Sequence, residues 1–141
     1  MLAFGPVYGY TCDPYDQLLA KQQEDRTLFY SDVQMKGVYP TYKLKEYERK
    51  NITIPYEDGD AALLKAGVCD FLSFSCYGSH VLTTHVDEDM KKGEGNGAMQ
   101  RTVANPYLKT NAWGWATDPQ CLRIVLNTFY NRYHCDLFCV E

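Results

Sequence analysis

Phe71-Leu72-Ser73-Phe74-Ser75-Cys76-Tyr77 is the stretch on which the reading of the fold turns. Successive side chains of a strand point to opposite faces. The period of two therefore sorts Phe71, Ser73, Ser75 and Tyr77 to one side and Leu72, Phe74 and Cys76 to the other. The second set is apolar and suits a layer of helices; the first is more polar and suits an open face.

Working upstream, residues 1–4 are apolar and end at Gly5-Pro6, which predicts a short strand running straight into a loop. Asp13-Pro14 reads as an N-cap with proline at the first helical position, and Asp16 adds negative charge to the first turn. The helix it opens is expected to run to about Tyr30, with Asp32 to Pro40 as a connection. Tyr42 to Arg49 predicts a second, highly charged helix, and Asp58 to Ala66 a third that stops at Gly67. The charges between Lys43 and Lys50 have both signs at helical spacing and read as a solvated face.

Downstream, residues 78–117 show little periodicity and contain Lys91-Lys92-Gly93-Glu94-Gly95-Asn96-Gly97, which no core could absorb. Loops of this length are uncommon and usually functional or disordered. Asp118-Pro119 repeats the cap-and-proline device, and Leu122, Val125, Leu126, Phe129 and Tyr133 recur along one helical stripe. The sequence closes on Leu137-Phe138-Cys139-Val140-Glu141, an apolar run of strand length that stops on a charge. Strand, helices, strand, loop, helix, strand is a βαβαβ order, which favours parallel strands covered by helices and an α/β class. A (β/α)8 barrel and a doubly wound open sheet share that order. No glycine-rich turn joins a strand directly to a helix as in dinucleotide or P-loop sites, which favours the barrel.

Composition narrows the function. The chain has 141 residues and a formal net charge of −4, with scattered basic residues that give no footprint for nucleic acid or anionic membranes. Its apolar runs fall far short of the roughly 18 residues of a membrane span. Met1-Leu2-Ala3-Phe4-Gly5-Pro6 lacks the features of a secretory signal, so a cytoplasmic location is expected. The cysteines Cys12, Cys69, Cys76, Cys121, Cys135 and Cys139 are read as free thiols, and the sequon Asn51-Ile52-Thr53 as uninformative. Cys69, Cys76, His80 and His85, or His134, Cys135 and Cys139, raise the question of a metal. No CxxC pair is present, and Cys135 and Cys139 would stand about 13 Å apart at roughly 3.3 Å per strand residue. Neither a metal nor another cofactor is expected.

Gly37-Val38-Tyr39-Pro40-Thr41-Tyr42, Glu57-Asp58-Gly59-Asp60, Cys69 to Tyr77, Asn105-Pro106-Tyr107, Trp113-Gly114-Trp115-Ala116-Thr117-Asp118-Pro119 and Phe138-Cys139-Val140-Glu141 follow one another at a spacing that resembles glycoside hydrolase family 1, most like its bacterial 6-phospho-β-glucosidases. The resemblance covers the whole chain and implies the fifth to seventh strands of a (β/α)8 barrel, about three parallel strands with covering helices in a single segment, with a long cleft loop at about 78–117. It implies a retaining β-glycosidase acting on phosphorylated β-glucosides through a glycosyl-enzyme intermediate. Glu141 matches the nucleophile, although the Asn-Gly that follows it in the family is not in this sequence. Tyr77 matches the tyrosine that supports the nucleophile, Ser75 a substrate-contacting position, and Trp115 the aromatic platform for the aglycone. Cys76 stands where the family usually has tyrosine and is expected to face the helices. The acid/base glutamate of the family lies in an Asn-Glu-Pro motif that this sequence lacks. Met1 matches a methionine within the fifth strand, as expected if translation or gene calling began inside a longer coding region.

Taken without the resemblance, Glu141 is an ordinary terminal carboxylate, Tyr77 a half-buried strand tyrosine, and Trp113 and Trp115 covers for a core edge. Two expectations for the isolated chain follow. It is a glycosidase segment, inactive until complementing fragments of the same barrel supply the missing strands, or a noncatalytic remnant that at most associates with itself or with other proteins.

Overall fold

The computed structural model describes residues 2–85 and 102–141. Its central sheet has the order β1 (Leu2–Ala3), β3 (Phe71–Ser75), β5 (Asp136–Cys139), and both pairings are parallel. Leu2 and Ala3 lie beside Phe74 and Ser75, and Phe71 to Phe74 beside Asp136 to Cys139. The alternation expected of β3 holds from Phe71 to Phe74, with Leu72 and Phe74 6% and 0% exposed and Phe71 53% exposed, and returns at Tyr77, 54% exposed, but Ser75 is buried on the side expected to be open.

The helix-facing side of β3 builds the core with α4 (Cys121–Tyr133) and α1 (Pro14–Lys36). Phe4, Leu28, Leu72, Phe74, Cys121, Val125 and Phe129 form one buried cluster, joined at its margin by Cys76. Phe129 is its centre, with the rings of Phe4 and Phe74 each 5.0 Å away. Tilted and edge-on ring pairs at such spacing add to the stabilisation from buried area. Of the apolar stripe read along α4, Val125 and Phe129 are buried, but Leu122 and Leu126 remain 44% and 37% exposed. The buried row is instead Cys121, Val125 and Phe129, one turn apart from each other.

Helix α1 begins as expected, with the Asp13 carboxylate accepting from the Tyr15 amide and Pro14 at the first helical position. It does not stop at Tyr30. The helix continues to Lys36 and ends at Gly37, whose φ of 66° is the left-handed cap and whose amide donates to the Val33 carbonyl at 2.8 Å. The segment read as a connection from Asp32 thus belongs in part to the helix. Asp32 is buried there because Arg132 of α4 grips it with two nitrogens, at 2.7 and 2.6 Å, and the Tyr42 hydroxyl donates to it at 2.7 Å. Helices α2 (Thr41–Arg49) and α3 (Asp60–Ala66) agree with the sequence reading, α3 ending at Gly67.

Residues 78–117 are not uniformly loop. β4 (His80–Leu82) pairs in parallel with β2 (Val7–Gly9) to form a second, two-stranded sheet. The Gly-rich stretch of 91–97 lies outside the described residues. Gly5 brings the two layers together: a Cβ there would stand 1.8 Å from the Gly78 carbonyl oxygen, so only glycine fits this crossing. Helix α4 starts at Cys121, two residues beyond Pro119. Asp118 accepts from the Gln120 amide at 2.9 Å through its carboxylate and from the Cys121 amide through its carbonyl, so it makes a turn before the helix rather than the cap itself.

Candidate active site

Parallel strands end together, and the site stands at the C-terminal ends of β3 and β5. The ladder between them extends past the strands themselves: the Val140 amide donates to the Phe74 carbonyl, and the Cys76 amide to the Glu141 carbonyl, both at 2.8 Å. This places Tyr77 and Glu141, far apart in sequence, next to each other in space. The Tyr77 hydroxyl donates a short hydrogen bond to Oε2 of Glu141. That bond is the largest cause raising the Tyr77 phenol above its ordinary value, with a Ser75 hydrogen bond working the other way. Tyr77 therefore keeps its proton and remains a donor to the carboxylate.

Ser75 shares the Tyr77 side of β3 but is only 3% exposed. The accessible surface here belongs to Tyr77, Glu141 and the aromatic loop that follows. In that loop, Trp115 lies 6.1 Å from the Tyr77 ring and 6.1 Å from Trp113, centroid to centroid. Trp113 and Trp115 are 74% and 44% exposed, so neither covers a core.

Asn111 shapes this loop and was not singled out in the sequence. Its Oδ1 accepts from the amides of Trp113 and Trp115, both at 3.0 Å, and its own amide donates to the Trp115 carbonyl at 2.9 Å. Gly114, with φ of 84°, makes the reversal, and an antiparallel bridge between Thr110 and Ala116 closes it. Asn-x-Trp-Gly-Trp carries a signal of this arrangement, since asparagine bonding to amides ahead of it and glycine at positive φ are turn chemistry.

A second polar centre, also not anticipated as such, lies at the start of α1. The Asp16 carboxylate is fully buried. It accepts from the amide and hydroxyl of Thr11 at 3.1 and 2.8 Å, and from those of Thr84 at 2.6 and 2.8 Å. The Thr83 hydroxyl, at 3.2 Å from both carboxylate oxygens, completes the cluster. Beside it, His85 meets the Asp13 carboxylate at 2.6 Å on the surface. Among the described residues no group of histidine, cysteine and acidic side chains is placed to hold a metal, and no helix is long and apolar enough to cross a membrane.

Parallel strands with covering helices make up a segment of a (β/α)8 barrel, in which a carboxylate and a tyrosine meet at adjoining C-terminal strand ends, the face where such barrels build their sites. The description of glycosyl hydrolase family 1 matches residues 1–141, and the chain belongs to that family. It is 42% identical over 141 residues to the aryl-phospho-beta-D-glucosidase BglA of Bacillus subtilis (strain 168), covering 100% of this chain and 29% of that protein. It is 43% identical over 136 residues to the 6-phospho-beta-glucosidase of Clostridium longisporum, covering 96% of this chain and 28% of that protein. A beta-glucosidase from Thermotoga maritima in complex with glucoimidazole shares the fold with a TM-score of 0.72 at 18% identity, over 99% of this chain and 29% of the other. The chain thus spans under a third of the length of the curated relatives it matches.

Proposed function

We propose that this chain supplies the nucleophile side of a retaining β-glycosidase site that hydrolyses 6-phospho-β-glucosides through a glycosyl-enzyme intermediate. The observation that carries the reading is the hydrogen bond from Tyr77 to Glu141 at the ends of neighbouring parallel strands. In such a reaction one Oε of Glu141 attacks the anomeric carbon while the bond to the aglycone oxygen breaks. Tyr77 orients the carboxylate and leaves its other oxygen free to attack. Ser75, matched by the resemblance to a substrate-binding position, lies on the same strand face as Tyr77, and with 3% exposure it reaches a sugar only at the floor of the site. Trp115 offers a flat ring to the leaving group, and the turn that carries Trp113 and Trp115 borders the cleft.

The proton for the leaving oxygen comes from a second carboxyl group, which in retaining enzymes stands about 5–5.5 Å from the nucleophile. The sequence holds no Asn-Glu-Pro to provide it, so the 141-residue chain alone is inactive and works with complementing barrel strands. Phosphorylated substrates are supported by the likeness to relatives named as phospho-β-glucosidases. The six free thiols favour a reducing compartment such as the cytoplasm.

A second reading, a noncatalytic segment that binds to itself or to other proteins, draws on the sheet edges. Among the described residues β1 and β5 each pair with β3 alone, and Phe138 and Val140 beside that edge are 61% and 47% exposed. Hydrolysis of a chromogenic 6-phospho-β-glucoside separates the two. The chain alone is expected to give no turnover, and mixing it with a polypeptide carrying the rest of a homologous family 1 barrel is expected to restore turnover that Glu141→Gln abolishes. A soluble, stoichiometric mixture with no activity would leave the noncatalytic reading.

A further inference from the structure

We propose that Cys76 and Cys121 are a redox pair that closes reversibly to a disulfide under a peroxide oxidant, fastening the end of β3 to the first turn of α4. Their sulfurs stand 2.9 Å apart although the residues are 45 positions apart in sequence. A disulfide needs about 2.05 Å, so the two sulfurs have to approach by only roughly 0.9 Å. Of the remaining cysteines, Cys12, Cys69 and Cys139 are exposed, and Cys135 is half-buried against the core cluster.

The two thiols have different surroundings, which sets the order of events. Cys121 is 5% exposed, and burial, with a smaller contribution from Cys76, holds its thiol well above the ordinary range. Cys76 is half-buried at the end of the strand, so the oxidant reaches it first. Its sulfur attacks the peroxide, the O–O bond breaks, and Cys76 becomes a sulfenic acid with release of an alcohol or water. The Cys121 sulfur then attacks that of Cys76, the S–O bond breaks, and the sulfenic OH leaves as water with the Cys121 thiol proton. Sulfur is oxidised by two electrons and the peroxide is reduced by two; a thiol reductant reverses the bond.

Cys76 lies between Ser75 and Tyr77, and its amide donates to Glu141. Closing the pair therefore fixes the backbone that carries the candidate site, and it does so whichever sugar that site accepts.

The test is peptide mapping of the full chain, treated with hydrogen peroxide under native conditions and in denaturing urea, alkylated, and digested without reduction. Under native conditions the Cys76–Cys121 cross-linked peptide is expected to dominate over every other pairing, to vanish with dithiothreitol, and to lose its dominance in urea. In Cys121→Ser, Cys76 is expected to stop at the sulfenic acid and be captured by dimedone. In Cys76→Ser, Cys121 is expected to stay reduced. Both cysteines alkylated independently after oxidation, or a cross-link equally abundant in urea, would overturn the proposal.

Discussion

Asp16 is fully buried and its carboxylate accepts from Thr11, Thr83 and Thr84, whereas Glu141 is exposed and its side chain accepts from Tyr77. The difference separates a carboxylate enclosed by several internal donors from an accessible one with a single side-chain donor, as the proposed nucleophile requires. An ionised carboxylate has about four acceptor positions. At Asp16 these are taken by donors from two loops and none is left for a ligand. At Glu141 the one side-chain donor is Tyr77, on Oε2, and the residue is exposed.

The first way to break this comparison is to neutralise each carboxylate without changing its size. In the reconstituted barrel, Glu141→Gln is expected to lower kcat on the order of 10⁴-fold or more, with Tm unchanged. Asp16→Asn is expected to do the reverse, costing about 2–4 kcal/mol of stability in urea unfolding, because the amide presents N–H groups to donors already aimed at it. If Glu141→Gln lowered stability as much as Asp16→Asn does, both carboxylates would be structural.

Asp16 also predicts a pH window. Burial raises its pKa, but hydrogen bonds from the Thr84 and Thr11 amides and hydroxyls outweigh that and bring it from 3.8 down to about 2. A depressed folded-state value means that the group's contribution is complete above 3.8 and is lost as the pH falls toward about 2. The wild-type Tm is expected to drop across that interval more steeply than that of Asp16→Asn, as thermal melts would record.

What was legible in the sequence divides along the same line. The alternation of Phe71 to Phe74, the cap at Asp13-Pro14 and the stop at Gly67 are local signals, and the structure follows them. Asp16 read only as a helix-terminal charge, because its partners Thr83 and Thr84 come from a loop 67 and 68 positions on. Helix α1 read as too short for the same reason: Asp32 looks like a breaker until Arg132, 100 positions away, is placed against it. The second sheet escaped because β2 and β4 are each 3 residues long, too short for a period to show. Leu122 and Leu126 matched a helical stripe whose buried row is centred instead on Val125 and Phe129. At the site, the match of Ser75, Tyr77, Trp115 and Glu141 to a family pattern named the residues. The resemblance also implied that Tyr77 supports Glu141, and the structure brings the two together and adds the turn built by Asn111.

A smaller effect sharpens the reading of Glu141. Tyr77→Phe removes the hydrogen bond that orients the carboxylate, so activity of the reconstituted barrel is expected to fall on the order of 10-fold or more while the fold persists. The smallest expected effect is at His85. Its hydrogen bond to Asp13, with the Asp13 charge assisting, raises its pKa above 6.5. The associated stabilisation is present below 6.5 and is lost as the pH rises through the raised value. NMR titration should find His85 above the ordinary imidazole value in the wild type and near it in Asp13→Asn.

The most direct measurement is covalent capture of the intermediate. The reconstituted barrel is incubated with a 2-deoxy-2-fluoro-6-phospho-β-glucoside bearing a good leaving group, then digested and analysed by mass spectrometry. The expected result is one glycosyl adduct, on the peptide that contains Glu141, absent from Glu141→Gln. An adduct on any other carboxylate, with turnover intact in Glu141→Gln, would contradict the assignment of Glu141 as the nucleophile.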